Sequence, residues 1–226
     1  MAADVIAIDG PAASGKSTIA ARIAGILGIP YINTGNMYRA VTFYALTRGV
    51  KPCRDRQTET VALLDRLILE YRRTDNGTYE LFLNGEAAGA AIRTPEVTAC
   101  VSQAAAMPEV RTWLLRQQRD YANLGRIVME GRDIGTVVFP DAAYKFFLTA
   151  SPEARARRRL GQAGETPADA TIRSVAAEIA ARDRLDSSRA AAPLRQAPDA
   201  VLIDSTELTI DQVVDIIIAR VRHADH

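Results

Sequence analysis

Histidine is nearly missing from this chain: His223 and His226, both among the last four residues, are the only two in 226. That scarcity argues against imidazole acid–base chemistry and histidine metal sites. Lysine is scarce as well, at three residues against twenty-five arginines. With the abundant alanine this skew reads as coding bias, so an arginine cluster needs independent support before it carries meaning. Cysteine is limited to Cys53 and Cys100, with no C-x-x-C and no metal-ligand spacing, which excludes a disulfide framework and suits a reducing compartment. Excess charge is absent too: 28 basic and 27 acidic residues leave a formal +1, with no bulk field to attract nucleic acid or a membrane surface. Met1 to Asp9 lacks the basic start and long apolar stretch of a signal peptide, and no run approaches membrane-spanning length. The expectation is a cytoplasmic monomer whose anion recognition is local.

What is present points to one α/β domain. At 48% apolar residues the chain has material for a sizeable core and a small insertion. Asp4-Val-Ile-Ala-Ile-Asp9 is a short apolar run ended by Gly10-Pro11, the pattern of a strand buried on both faces of a parallel sheet. Ser17 to Leu27 follows with Ile19, Ile23, Ala24 and Leu27 at helical spacing, and stops at Gly28 with Pro30 beyond. Strand signals recur at Tyr31 to Asn33, Ile127 to Met129, Tyr144 to Leu148 and Ala200 to Ile203, most of them separated by helical patterning. Such alternation predicts a three-layer fold around a parallel sheet of about five strands. Between about Pro52 and Thr94 the pattern changes: Tyr79-Glu-Leu-Phe-Leu83 alternates and Asn84-Gly85 follows, a hairpin signal that predicts a small antiparallel insertion. Ser151-Pro152-Glu153 then starts a helix rich in arginine: Arg155, Arg157, Arg158 and Arg159. A loop from Gly161 to Pro167 is flexible enough to hinge, and a second long helix is expected from about Ala168 to Ala191.

Gly10, Pro11, Ala12, Ala13, Ser14, Gly15, Lys16 and Ser17 fit G-x-x-x-x-G-K-[ST] at every fixed position, between a predicted strand and a predicted helix. Glycines let backbone N–H groups turn inward around phosphate oxygens, and the helix N-terminus adds positive potential. Lys16 would reach the β and γ phosphates, and Ser17 would give its hydroxyl to Mg²⁺. The loop alone indicates a nucleotide and leaves the reaction open. Guanine recognition through N-K-x-D is excluded, because none of the three lysines sits in that motif. Glu130-Gly131-Arg132-Asp133 follows a predicted buried strand and so falls at the carboxyl end of the sheet, where open α/β sheets bind ligands. Arg182, Asp186 and Arg189 are spaced i, i+4, i+7 on the second long helix; by themselves they read as a surface ion-pair ladder.

Over nearly its whole length the sequence resembles the bacterial cytidylate kinases. The resemblance is carried by Ile6 to Thr18, Asn33-Thr-Gly-Asn-Met-Tyr-Arg39, Ile92-Arg-Thr94, Glu130 to Asp141, Ala192-Pro-Leu194 and Asp204-Ser-Thr206. It implies an ATP-binding segment from Gly10 to Thr18, with lid arginines Arg157 and Arg158 beside it. For the acceptor, CMP or dCMP, it implies Thr34, Tyr38, Arg39, Ser102, Arg111, Arg132, Asp133, Arg182, Asp186 and Arg189. Arg39 and Arg132 would hold the acceptor phosphate in bidentate fashion. Asp133, Arg111 and Ser102 would read cytosine, whose N4 amino group donates and whose N3 and O2 accept. One departure stands out: many relatives have Asp-Thr-Gly or Asp-Ser-Gly where this chain has Asn33-Thr34-Gly35.

These readings combine into a single P-loop kinase domain. Its core covers 1–51, 95–154 and 168–226, the acceptor-side insertion 52–94, and a mobile lid 155–167. The expected reaction moves the γ-phosphoryl of ATP, with Mg²⁺, onto CMP or dCMP, with Lys16, Arg132 and Asp133 as catalytic residues and Ser17 on the metal. Two alternatives stay open at this stage: a kinase for another acceptor such as UMP, AMP or a small metabolite, and a regulatory module that holds ATP without transfer.

Overall fold

A computed structural model describes residues 3–162, 166 and 169–224. Five parallel strands form the central sheet: β1 (Ala3–Asp9), β2 (Tyr31–Asn33), β6 (Ile127–Gly131), β7 (Ala142–Thr149) and β8 (Val201–Asp204), in the order β2-β6-β1-β7-β8. Strand β1 is buried on both faces. Ile6 and Ile8 join the core formed with α1 (Lys16–Leu27) and α8 (Ile210–Ala224), while Val5 and Ala7 face Ile127, Met129, Ile134 and Val138. That two-sided burial explains why β1 reads as a continuous apolar run. The observed architecture is the three-layer α/β fold expected from the sequence.

Beside the central sheet lie α2 (Thr34–Leu46), α3 (Gln57–Ala62), α4 (Pro95–Ala104), α5 (Pro108–Asp120) and a second sheet. That sheet is antiparallel, in the order β3 (Leu69–Arg73), β4 (Tyr79–Leu83), β5 (Glu86–Ala87). Asn84 at φ 49° and Gly85 at φ 91° turn β4 into β5, as a two-residue loop needing positive φ at both positions requires. Strand β3 has no counterpart among the sequence signals; of its side chains only Leu69 is buried, and its pairing with β4 supplies what its pattern does not.

Helices α6 (Pro152–Leu160) and α7 (Ile172–Ser187) pack together over the loop that follows β1, where Ala156, Val175 and Ile179 surround Ala12. The expected helix from Ala168 to Ala191 is therefore shorter at both ends. Thr171 and Ser174 form a reciprocal capping box at its start, and Ala168 lies outside the described residues. At the other end Ala192 takes φ 50° ahead of Pro193, a residue that disfavours helical geometry in its predecessor. Of the expected hinge loop, residues 163–165 and 167 lie outside the described set.

Candidate active site

The strand order sets where a site can form. Strand β1 leads through α1 to β2 at one edge, while its neighbour β7 leads through α6 and α7 to β8 at the other. The crevice at this divergence is the binding position of open α/β sheets, and the loop Gly10–Gly15 sits in it. Gly10 takes φ 150°, and a Cβ there would overlap the Leu148 carbonyl oxygen, so no other residue lets the loop cross β7 this closely. Ala13 and Gly15 also turn with positive φ before α1 starts at Lys16. Lys16 is buried and donates to Pro11 O at 2.7 Å and to Ser14 Oγ at 3.2 Å. Burial first, and then the nearby Arg132 charge, lower its amine to about 7.

Opposite the loop lies a cavity that is continuous with solvent. Ala13 to Thr18 line one wall, while Gly10, Pro11 and Ala12 support the loop from outside the lining. All ten acceptor-side residues expected from the resemblance line the cavity: Thr34, Tyr38, Arg39, Ser102, Arg111, Arg132, Asp133, Arg182, Asp186 and Arg189. They come from α2, α4, α5, the end of β6 and the α7 region, elements far apart in sequence.

Two buried carboxylates organise this wall. Asp186 accepts from Arg132 Nε at 2.9 Å and from Arg189 Nη2. Burial would raise its pKa, but Arg132, Arg189 and Arg182 together hold it below the usual carboxylate value. Arg182 and Asp186 share a helical face as expected, but Arg189 lies beyond the end of α7 and reaches back to Asp186 from the turn. The i+7 helical reading of Arg189 is thus corrected, while its place in the cavity stands. Asp133 pairs with Arg111 Nη2, and Arg111 also donates to Ala105 O at 3.2 Å and lies over the Tyr38 ring at 5.5 Å. Burial raises Asp133, with Arg111 opposing. Gly131 brings β6 close to α2: a Cβ there would stand 2.6 Å from Thr34 Oγ1, which donates to Glu130 O at 2.8 Å.

Positive charge dominates the rest of the lining. Arg39 donates to Thr98 Oγ1 at 2.9 Å, and burial followed by Arg93, Arg159 and Arg132 lowers it to about 10. Arg182 and Arg159 are lowered to about 10 by burial and by neighbouring guanidinia. Arg182 Nε and Arg189 Nε are buried without a hydrogen-bond partner. Converging cations with unsatisfied donors are what a multiply charged anion complements.

The arginines of α6 divide in an unexpected way. Arg155 donates to Ala12 O at 3.1 Å and pairs with Asp183, while Arg158 donates to Ser14 O at 3.2 Å and Ser205 O at 2.6 Å. Both fasten α6 to the loop. Arg157 is exposed and outside the lining; Arg159 lines the cavity. Arg159, expected only as one of the lid arginines, is the one that lines the cavity, while Arg93 and Glu130 line it without having been expected as site residues. Arg93 and Glu130 did fall within quoted motif segments, which is the signal that could have found them.

A family model for cytidylate kinase matches residues 6–223. The chain belongs to the cytidylate kinase family. It is 46% identical over 210 residues to a cytidylate kinase of Fervidobacterium nodosum, covering 93% of this chain and 92% of that one. With a cytidylate kinase of Streptococcus suis it shares 47% identity over 212 residues, covering 94% and 93%. An uncharacterized protein from Eubacterium ventriosum has a similar fold, with a TM-score of 0.51 at 12% identity, over 96% of this chain and 98% of that one. Among the described residues no helix is long and apolar enough to cross a membrane.

Proposed function

We propose that this family member transfers the γ-phosphoryl group of ATP to CMP or dCMP, giving ADP and the nucleoside diphosphate. One observation carries the reading: the phosphate-binding loop and a wall of arginines enclose one cavity, whose far side holds the Asp133–Arg111 pair beside Ser102. ATP phosphates would lie on the N–H groups of the loop with Lys16 on the β and γ positions. Arg39, Arg132 and Arg182 would hold the acceptor phosphate in line, and Asp133, Arg111 and Ser102 would face cytosine. The acceptor phosphate, with a second pKa of about 6, is already ionised near neutral pH and needs no dedicated base. Catalysis is then positioning and charge neutralisation, with Lys16 and Arg132 on the spreading charge and Asp133 fixing the acceptor. Arg159 enters from α6, consistent with a lid over 155–167 that closes on the phosphates.

Mg²⁺ accompanies ATP in this reading. No group of three or more His, Cys, Asp or Glu that could hold a metal occurs among the described residues. Mg²⁺ takes one or two protein groups and completes its shell with phosphates and water. Ser17 lines the cavity at the start of α1 and would hold the ion by its hydroxyl. When bound, the ion neutralises charge on the transferring phosphates. We place the enzyme in the cytoplasm as a monomer with no nucleic acid or membrane partner. A coupled ADP-release assay with CMP, dCMP, UMP and AMP tests the reading: turnover should be fastest with the cytidine nucleotides, and turnover of no monophosphate would sink it.

A further inference from the structure

Three carboxylates line the cavity, and they are held differently. Asp133 and Asp186 are hydrogen-bonded to arginines, whereas the hydrogen bonds to the Glu130 carboxylate come from neutral donors. Tyr31 Oη donates to Glu130 Oε1 at 2.7 Å, and Asn33 Nδ2 donates to the same oxygen at 2.5 Å. The contact follows from the sheet. Strands β2 and β6 are parallel neighbours with Asn33 directly opposite Glu130 in register, so both side chains rise at the carboxyl end beside the phosphate loop. The other end of the Asn33 amide is also in use, since its Oδ1 accepts from Asn36 N at 3.0 Å and caps α2. Tyr71 of β3 fixes the backbone here, donating its hydroxyl to Asn33 O at 2.9 Å and accepting from Asn33 N at 3.2 Å.

We propose that Asn33 is a positioning residue for the phosphate end of the cavity, its amide orienting Glu130 and keeping that carboxylate out of any arginine pair. The benefit is electrostatic. Lys16 and Arg132 repel one another, and Glu130 offsets that repulsion without occupying a guanidinium that a phosphate must use. The charged and titratable groups around Glu130 are Tyr31 from β2, Tyr71 from β3, Lys16 from α1 and Arg132 beyond β6. Burial and the Glu130 charge keep the Tyr31 phenol protonated far above neutral pH, so it remains a donor.

An Asn33→Asp variant isolates the contact, because aspartate caps a helix as well as asparagine does. It sets two carboxylates face to face, and such a pair retains one proton above the ordinary carboxylate range. With that proton in place, the hydroxyl of the introduced carboxyl group would donate to Glu130 as the amide does. Without it, an extra negative charge faces the ATP phosphates. The native state binds the proton more tightly than the unfolded chain, so the variant's stability falls as pH rises through the pair's folded pKa.

The experiment measures Tm and, by calorimetry, the Kd for ATP of parent, Asn33→Asp and Asn33→Asp/Glu130→Gln between pH 5.5 and pH 8. The expected result is near-parent behaviour of the single variant at the acid end. Toward pH 8 its Tm falls below the parent's and its relative ATP affinity drops about tenfold, both reversed by the second substitution. A constant Tm difference across the range, or a Tm trend with no change in relative ATP affinity, would overturn the proposal. If Asn33→Asp fails to fold at every pH, the double variant must fold; its failure also overturns the idea. The inference rests only on the ATP-binding half of the proposed function, and these readouts need no turnover. A chain that binds ATP but phosphorylates no monophosphate would sink that reading and leave this test intact.

Discussion

Arg132 Nε and Asp186 Oδ2 meet at 2.9 Å although 54 residues separate them, and the same carboxylate takes Arg189 on its other oxygen. One buried acid thus sets the positions of two guanidinia. Removing that acid leaves both cations buried without a counter-charge, which costs about 3 to 5 kcal/mol for pairs of this kind. Asp186→Asn should therefore melt well below the parent, and millimolar CMP should raise Tm more in the variant than in the parent. Thermal melts with and without CMP measure this; equal CMP shifts would mean that Asp186 serves stability alone.

Lys16→Ala should lower kcat by roughly a hundredfold or more with CMP affinity little changed, since it removes charge from the ATP side only. Initial rates and calorimetry with CMP separate the two effects. Ordinary kinetics in the variant would contradict the placement of ATP.

Arg39 lines the cavity, held by Thr98 at 2.9 Å, and is assigned to the acceptor phosphate in the proposed reading. Arg39→Ala should weaken CMP by about 1.5 to 3 kcal/mol, the range for a lost charged hydrogen bond, and ATP far less. Equal losses for the two nucleotides would show that Arg39 acts on the cavity as a whole.

In the proposed reading the base is recognised at the Arg111–Asp133 pair. An ionised Asp133 accepts from the cytosine amino group but opposes the uracil carbonyl, so UMP should be disfavoured by several kcal/mol. In Asp133→Asn the amide can donate instead. The CMP to UMP ratio of kcat/KM should narrow or invert, and an unchanged ratio would assign base selection elsewhere, to Ser102, Arg111 or Arg189.

The lowered Lys16 amine gives a proton signature. With a free-enzyme pKa of about 7, the residue is largely neutral at pH 8, and an arriving phosphate favours its charged form. ATP binding at pH 8 should take up a proton, seen as a binding enthalpy that differs between buffers of unlike ionisation enthalpy. At pH 6 the uptake should fade, and in Lys16→Met it should vanish at both values.

Much of this protein was legible from local signals. The phosphate loop was readable because its glycines and lysine are contiguous and sit between a buried strand and a helix, so neighbours in sequence are neighbours at the site. The hairpin at Asn84-Gly85 was readable for the same reason, as was the start of α6 at Ser151-Pro152. What the sequence by itself determined is thus the order along the chain of the strands of the central sheet and, with the family resemblance, ten residues that line the cavity. Which charges pair was decided by the tertiary structure. Asp133 pairs with Arg111 and not with its neighbour Arg132, Arg155 and Arg158 clasp the loop while Arg159 lines the cavity, and Arg189 reaches its carboxylate from beyond the helix. Spacing along a helix fixes a face, but a guanidinium on a long flexible stem chooses among carboxylates within several ångströms, and only packing decides which are within reach. The opposition of Asn33 to Glu130 is of the same kind, because it depends on strand register between segments 97 residues apart.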